Sequence, residues 1–382
     1  ALRLPVGVNP DGELERFARR DGFGQEDRFD GRVADLLPFE AAEVEAAREG
    51  TYPPPYPEGW YVVARSVELT TKPLQARACG NDLVLFRDRG GVARAIEAYC
   101  PHMGANLADG KVVDGCIECP FHQWRMDGEG RVVRLPKGHR PEPLHRTVSW
   151  AVVELHGWVC VFHRHGELLP GPAPEPRYRP ERLADIDEGA LRHRGEYDAG
   201  GVHMHLLEFV ENSVDFQHFE PIHGELRVPW TRIPIPGMRI EHASSWHRDE
   251  QEPHVSWFEN EAELSFRGNR ISRSGAKARV RLEGPGGIVR FDFRIAANGG
   301  RVVMFQSHTP TSPMTQRVRF RWFSSRRVSK VQAGFIVGNW VSQWRQDLGI
   351  WSRKIYRERP LLSRADGPVH QLRRWYSQFY PR

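Results

Sequence analysis

Cys100-Pro101-His102-Met103-Gly104-Ala105 and Cys119-Pro120-Phe121-His122-Gln123-Trp124 decide how this chain is read. The spacing is C-x-H, sixteen residues, then C-x-x-H, so thiol and imidazole donors alternate. Both types are metal ligands, the thiolate charged and the imidazole neutral. Gly104, Pro101 and Pro120 suit tight loops that bring backbone close to sulfur. Two chemistries share this donor set. Structural zinc takes two Cys and two His, but usually as a Cys pair followed by a His pair on a helix. An iron–sulfur cluster with both imidazoles on one iron fits the alternation and the strand-rich surroundings. That ligation also raises the potential above that of an all-Cys cluster.

The two loops resemble those of the Rieske family. The resemblance implies a [2Fe–2S] cluster on Cys100, His102, Cys119 and His122. Rieske proteins of respiratory complexes carry an additional, disulfide-bonded Cys in each loop. Ala105 and Phe121 stand in those places, which directs the resemblance to the oxygenase or ferredoxin branch. The other three of the five cysteines, Cys79, Cys116 and Cys160, read as buried strand thiols.

At 382 residues the chain exceeds the size of one hydrophobic core, so more than one domain is expected. Residues 1–55 read as an N-terminal arm and linker, with a helical patch over 38–49. Residues 56–168 carry short strands and turn signals, including one strand over 151–162, and form a small all-β domain. Residues 169–382 follow a Pro-rich linker. They contain a helix over 204–219, strands over 255–268, 276–283, 288–295, 301–308 and 317–323, and a long apolar helix over 328–357. The fold class is α+β, with an antiparallel sheet around a long C-terminal helix. No apolar run approaches membrane-spanning length and no secretory signal is visible, so a cytoplasmic protein without an integral membrane segment is expected. Of 54 basic residues only six are Lys, a skew that reads as base composition rather than nucleic-acid binding.

A second donor set lies in Glu208-Phe-Val-Glu-Asn212-Ser-Val-Asp215-Phe-Gln-His218-Phe-Glu-Pro221-Ile-His223. Asp215 and His218 are three apart and share a helix face. Pro221 breaks the helix and lets His223 turn back. Two histidines and a carboxylate on one face of Fe(II) leave positions open for O₂ and substrate. Between Phe293 and Arg357 the only acidic residue is Asp347, set among Trp344, Leu348 and Trp351. Burying it needs a cation partner. Two plainer readings stand beside this one: Asp347 pairs with Arg345 or Arg353 on a solvated face, and the histidines are merely packed. His203 and His205 read as structural.

The motif and its order resemble Rieske oxygenase catalytic domains, which have a helix-grip (START-like) fold. The resemblance implies mononuclear Fe(II) on His218, His223 and Asp347. It also implies that Asp215 bridges a cluster histidine of one subunit to the iron His218 of the next in a head-to-tail homotrimer, with Asn212 nearby. Tyr56-Pro-Glu-Gly-Trp60, Cys116-Ile-Glu-Cys-Pro-Phe-His-Gln-Trp124 and Gln346-Asp-Leu-Gly-Ile-Trp351 resemble the steroid-acting branch. That branch contains the Neverland-type cholesterol 7-desaturases and the oxygenase component of 3-ketosteroid 9α-hydroxylase. The implied activity is O₂-dependent hydroxylation or desaturation of a large apolar substrate, a sterol or steroid, with His308 and Trp340 as candidate polar contacts. No glycine-rich nucleotide motif is present, so electrons come from a separate ferredoxin or reductase. Three rival readings remain: a Rieske oxygenase acting on a non-steroid, aromatic or natural-product substrate, a Rieske electron carrier, and a START-like sterol-binding module.

Overall fold

The computed structural model describes residues 45–381 apart from 232, 273, 296 and 297. Most of the N-terminal arm lies outside the described residues. Of the expected helical patch, residues 45–49 are helical and the remainder lies outside.

Residues 59–163 build three small antiparallel sheets. Strand Gly59–Arg65 pairs with Trp158–His163, which pairs with Val152–Leu155. A second sheet joins Leu74–Ala78, Asn81–Arg87, Ala93–Glu97 and Ser149–Trp150. The third joins Lys111–Val113, Cys116–Glu118, Arg125–Met126 and Val132–Arg134. The strand expected over 151–162 is instead a hairpin. His156 and Gly157 both take positive φ (50° and 87°), a turn geometry that splits the apolar run in two. Cys116 is half-buried rather than buried, since it opens its strand directly after the Asp114–Gly115 turn.

The larger half is a nine-stranded antiparallel sheet. Its main path runs Arg192–His203, Thr315–Ser324, Gly300–Ser312, Ile288–Ile295, Ala276–Glu283, Val255–Phe266, Pro234–Arg248 and Glu225–Arg227; Asn269–Arg270 adds a short edge pair. The sequence does not reveal Arg192–His203 or Pro234–Arg248. Their residues are mostly exposed or half-buried, so no apolar period survives. The long helix Lys330–Trp351 lies on the inner face of the sheet. It starts at a reciprocal cap, Ser329 Oγ accepting from Gln332 N while Gln332 Oε1 accepts from Ser329 N. Val337, Val341, Trp344 and Leu348 pack against Phe291, Phe320 and Trp322 of the sheet in one core. Among the described residues no helix is long and apolar enough to cross a membrane.

The two halves share a core. Trp60, Val62, Trp158 and Phe162 meet Ile288, Val303, Phe305 and Phe323. Thr309 Oγ1 and Arg319 donate to the Val62 carbonyl at 2.7 and 3.3 Å. At Gly287 this junction leaves no room for a side chain: a Cβ there would lie 2.3 Å from the Trp60 carbonyl oxygen and 2.8 Å from the Tyr61 ring. Gly287→Ala is therefore expected to destabilise the chain by about 1–3 kcal/mol, because backbone must shift to relieve the contact. A urea-unfolding midpoint equal to wild type would contradict this account of the junction.

Candidate metal centres and the cavity between sheet and helix

The two sequence-defining loops are built alike. Cys100 N donates to Ala105 O at 2.9 Å and Gly104 N to Cys100 O at 2.9 Å; Cys119 N donates to Trp124 O at 2.8 Å and Gln123 N to Cys119 O at 3.1 Å. The fifth residue of each loop, Gly104 or Gln123, closes the turn at positive φ. The loops lie side by side with Cys100 and Cys119 buried beneath. The His102 and His122 rings stand 4.6 Å apart nearer the surface. Trp124 stacks on His102 at 4.4 Å and 8°. Burial pushes the Cys100 thiol up to about 11, so a thiolate at this position needs a cation beside it. The donor set, the paired loops and the buried sulfurs fit a cluster. Met103 and Phe121, on either side of the histidines, are 67% and 61% exposed.

The second set is assembled by three elements. Helix Leu206–Glu211 begins at His205, whose Nδ1 accepts from Leu207 N at 3.2 Å. Glu208 is buried and anchors it by accepting from Tyr52 Oη at 2.5 Å and Lys354 Nζ at 2.6 Å; Glu211 takes a two-point contact from Arg373 at 2.5 and 3.1 Å. The helix then stops. Asp215 departs from helical geometry (φ −88°, ψ 81°), and the chain resumes as a 3₁₀ turn Phe216–His218 and a π-helical turn Phe219–His223. The continuous helix expected over 204–219 is thus interrupted at Asp215. Pro221 sits inside the π turn instead of breaking a helix, because a first-turn Pro has no intrahelical N–H to lose.

This path brings His218, His223 and Asp347 together, with one donor atom from each within 4.8 Å of the others. They are 7%, 2% and 5% exposed. His223 Nε2 lies 3.1 Å from Asp347 Oδ1. His218 Nδ1 hydrogen-bonds the Asp215 carbonyl, which leaves Nε2 as the free lone pair, buried and without a partner. Burial lowers the His218 pKa, keeping the ring neutral as a ligand must be. Asn212 Nδ2 reaches Asp347 Oδ2 at 3.5 Å. An unpaired imidazole nitrogen and a buried carboxylate at one point fit a divalent metal. Asp347 does not lie on a solvated face. The Asp215 carboxylate is half-exposed, its Oδ1 3.9 Å from His218 Nδ1.

Beside the triad a narrow cleft runs between sheet and helix. Phe219, Phe258, Phe291, Trp340, Trp344 and Trp351 line it with aliphatic residues. A second, roomier and more polar cleft shares Asn212, Asp347 and Trp351 with the first and holds Asp215, His218 and the Glu208–Lys354 pair. His308 does not line the first cleft. It is fully buried against Phe209 at 4.1 Å and bonded to Gln306, which also accepts the Trp340 indole N–H at 2.9 Å. His203 pairs with Glu45 at 2.9 Å, away from the triad.

Sequence reasoning missed three residues here. His242, next to His223 and bonded to Asn260 at 3.0 Å, lies on a strand with no legible pattern. Glu208 and Lys354 are 146 positions apart, and no local spacing signals their contact.

Two family models match the chain: the Rieske [2Fe–2S] domain over residues 59–145, and the 3-ketosteroid 9α-hydroxylase C-terminal domain over residues 172–380. A cholesterol 7-desaturase of Caenorhabditis elegans is 31% identical over 351 residues, covering 87% of this chain and 79% of the relative. The oxygenase component of 3-ketosteroid-9-alpha-monooxygenase of Rhodococcus rhodochrous is 29% identical over 358 residues, covering 90% and 89%. Among solved structures, dicamba monooxygenase bound to dicamba is similar in fold, with a TM-score of 0.61 at 19% identity over 84% of this chain and 96% of that one.

Burial holds His205, which caps the helix leading into the triad, to about 4, and His308 behind it to about 3. Unfolded, both would protonate near pH 6.5. The unfolded chain therefore binds more protons below that value, and the stability these rings contribute above it is lost as pH falls toward 4. The limiting slope is about 1.4 kcal/mol per histidine per pH unit. Denaturant midpoints should fall between pH 7 and pH 5; a flat profile would contradict the assignment of both rings as buried and neutral.

Proposed function

The chain belongs to the Rieske oxygenases with a 3-ketosteroid 9α-hydroxylase-type C-terminal domain, and on that premise we propose that it hydroxylates or desaturates a sterol or steroid. It is an oxidoreductase whose cofactors are a Rieske [2Fe–2S] cluster and mononuclear iron. The observation that carries the substrate class is the buried His218–His223–Asp347 triad opening on an aromatic-lined cleft. We assign the cluster to Cys100, His102, Cys119 and His122 within residues 56–168, and the iron to His218, His223 and Asp347 within residues 169–382. Iron so held supplies O₂ activation, and the cluster supplies electrons one at a time.

The chain's own groups do the rest. The Asp215 carbonyl fixes the His218 ring, and Asn212 steadies the Asp347 carboxylate. Phe219, Phe258 and Phe291 keep water from the apolar side. Asp215 faces outward, and so do His102 and His122, flanked by exposed Met103 and Phe121. Surface placement at both ends supports a head-to-tail homotrimer in which Asp215 bridges to the neighbouring subunit's cluster. Electrons would arrive from a ferredoxin or reductase. Five cysteines without a disulfide accord with a cytoplasmic location.

With reductase, ferredoxin and NADH supplied, mass spectrometry should find an oxidised product from sterols or 3-ketosteroids. Turnover of aromatic acids alone would overturn the substrate class. Wild-type protein should hold about three irons per chain, two of them in the cluster. His218→Ala should hold about two and keep the cluster's visible absorption; unchanged iron content would reject His218 as a ligand. Asp215→Ala should retain both centres and lose turnover by a factor of about 10² or more while the cluster still reduces. Wild-type turnover in that variant, or a monomer in light scattering, would remove the intersubunit bridge.

A further inference from the structure

One stripe of the long helix faces the apolar cleft: Trp340, Gln343, Trp344, Asp347 and Trp351. These positions recur at helical spacing, so they project into the same space. Trp340 has its indole N–H committed to Gln306. Asp347 belongs to the triad. Gln343 is different. It is 8% exposed, yet its amide makes no side-chain hydrogen bond among the described residues. Nor is either amide atom sealed away from solvent-sized space, as the partnerless Trp344 indole nitrogen is. An amide that opens on an apolar cleft without a protein partner has only water to bond. A ligand with one polar atom at that point takes the water's place while its apolar body fills the lining around it.

We propose that Gln343 is the polar anchor for the oxygen substituent at C3 of a sterol or steroid substrate. This rests on the steroid reading above and adds the contact that orients the molecule. An amide both donates and accepts, so it suits a hydroxyl and a ketone alike. Gln343 and Asp347 are four residues apart, one helical turn or about 6 Å along the axis. The anchored oxygen therefore sits at the end of the cleft near the metal ligand, and the oxygen-bearing end of the molecule, not its hydrocarbon tail, faces the triad. The remaining lining is aromatic and aliphatic, which fits the ring carbons. Gln343 acts by positioning and takes no part in bond making.

The test is equilibrium binding, read by quenching of intrinsic tryptophan fluorescence, of a 3-hydroxysterol, its 3-keto form and its 3-deoxy counterpart. Wild type should bind the two oxygenated ligands about tenfold more tightly than the deoxy one, the worth of one hydrogen bond made in an apolar site. Gln343→Leu should abolish that preference by weakening the oxygenated ligands about tenfold while the deoxy ligand binds as before, with iron content unchanged. Equal loss for all three ligands would mean that Gln343 only packs, and the proposal fails. Equal binding of all three by wild type also overturns it, without any variant. If wild type binds none of the three, the steroid reading itself fails, and the anchor falls with it.

Discussion

The burial of one carboxylate constrains the catalytic half more than any other feature. Asp347 is almost wholly removed from water, among Trp344, Leu348 and Trp351, and its nearest polar contacts are His223 and Asn212. A carboxylate in that setting costs several kcal/mol unless a cation lies beside it. His223 and His218 complete a pocket in which a metal can be that cation. The donor atoms converge only because the helix that carries Asp347 is fixed against the sheet while the chain around Asp215 bends twice. Partly buried ion pairs fix that bend: Glu208 to Lys354 ties it to the segment just past the long helix, and Glu211 to Arg373 ties it to the C-terminal helix Val369–Tyr376. The charges therefore hold a geometry more than they add net stability.

The cluster half obeys the opposite rule. Its sulfurs are buried and its histidines lie near the surface, so the proposed exit for electrons is the part that can be touched. Trp124, flat on His102, keeps that ring from turning and shields one face from water. Asp215 is also half-exposed. The shared core between the halves makes a hinge within one chain costly, since Trp60 and Phe162 would leave contact with Phe305 and Phe323. A second copy of the chain joins two outward-facing ends without disturbing that core, which is the physical case for the proposed ring.

The legible part of this chain is its short-range chemistry. The convergence of the C-x-H and C-x-x-H loops could be read because a tight loop places its own side chains. The burial of Asp347 in the long helix could be read because it is the lone acidic residue in a long apolar segment. The grip of sheet on helix followed from strands that are buried on both faces, such as Gly300–Ser312. Arg192–His203 and Pro234–Arg248 were hidden because their residues meet solvent along much of their length. The hairpin at His156–Gly157 was hidden because an apolar run gives no sign of where it turns. Pro221 misled for a local reason: proline breaks a helix in its interior but fits a first turn, and only the kink at Asp215 decides which case applies.

Gln343 belongs to a third category, since its environment depends on helix rotation. Phe335 and Ile350 are exposed on the same helix that buries Val341 and Leu348, so apolar residues run round its circumference and the sequence does not say which stripe meets the cleft. Once the stripe is known, Gln343 and Asp347 cannot be repositioned independently: one helix carries both, and any rotation or slide moves the proposed substrate anchor and the proposed metal carboxylate together. Substitution at the stripe can change which molecule is held without altering the triad. A change in the triad alters the chemistry regardless of what is held.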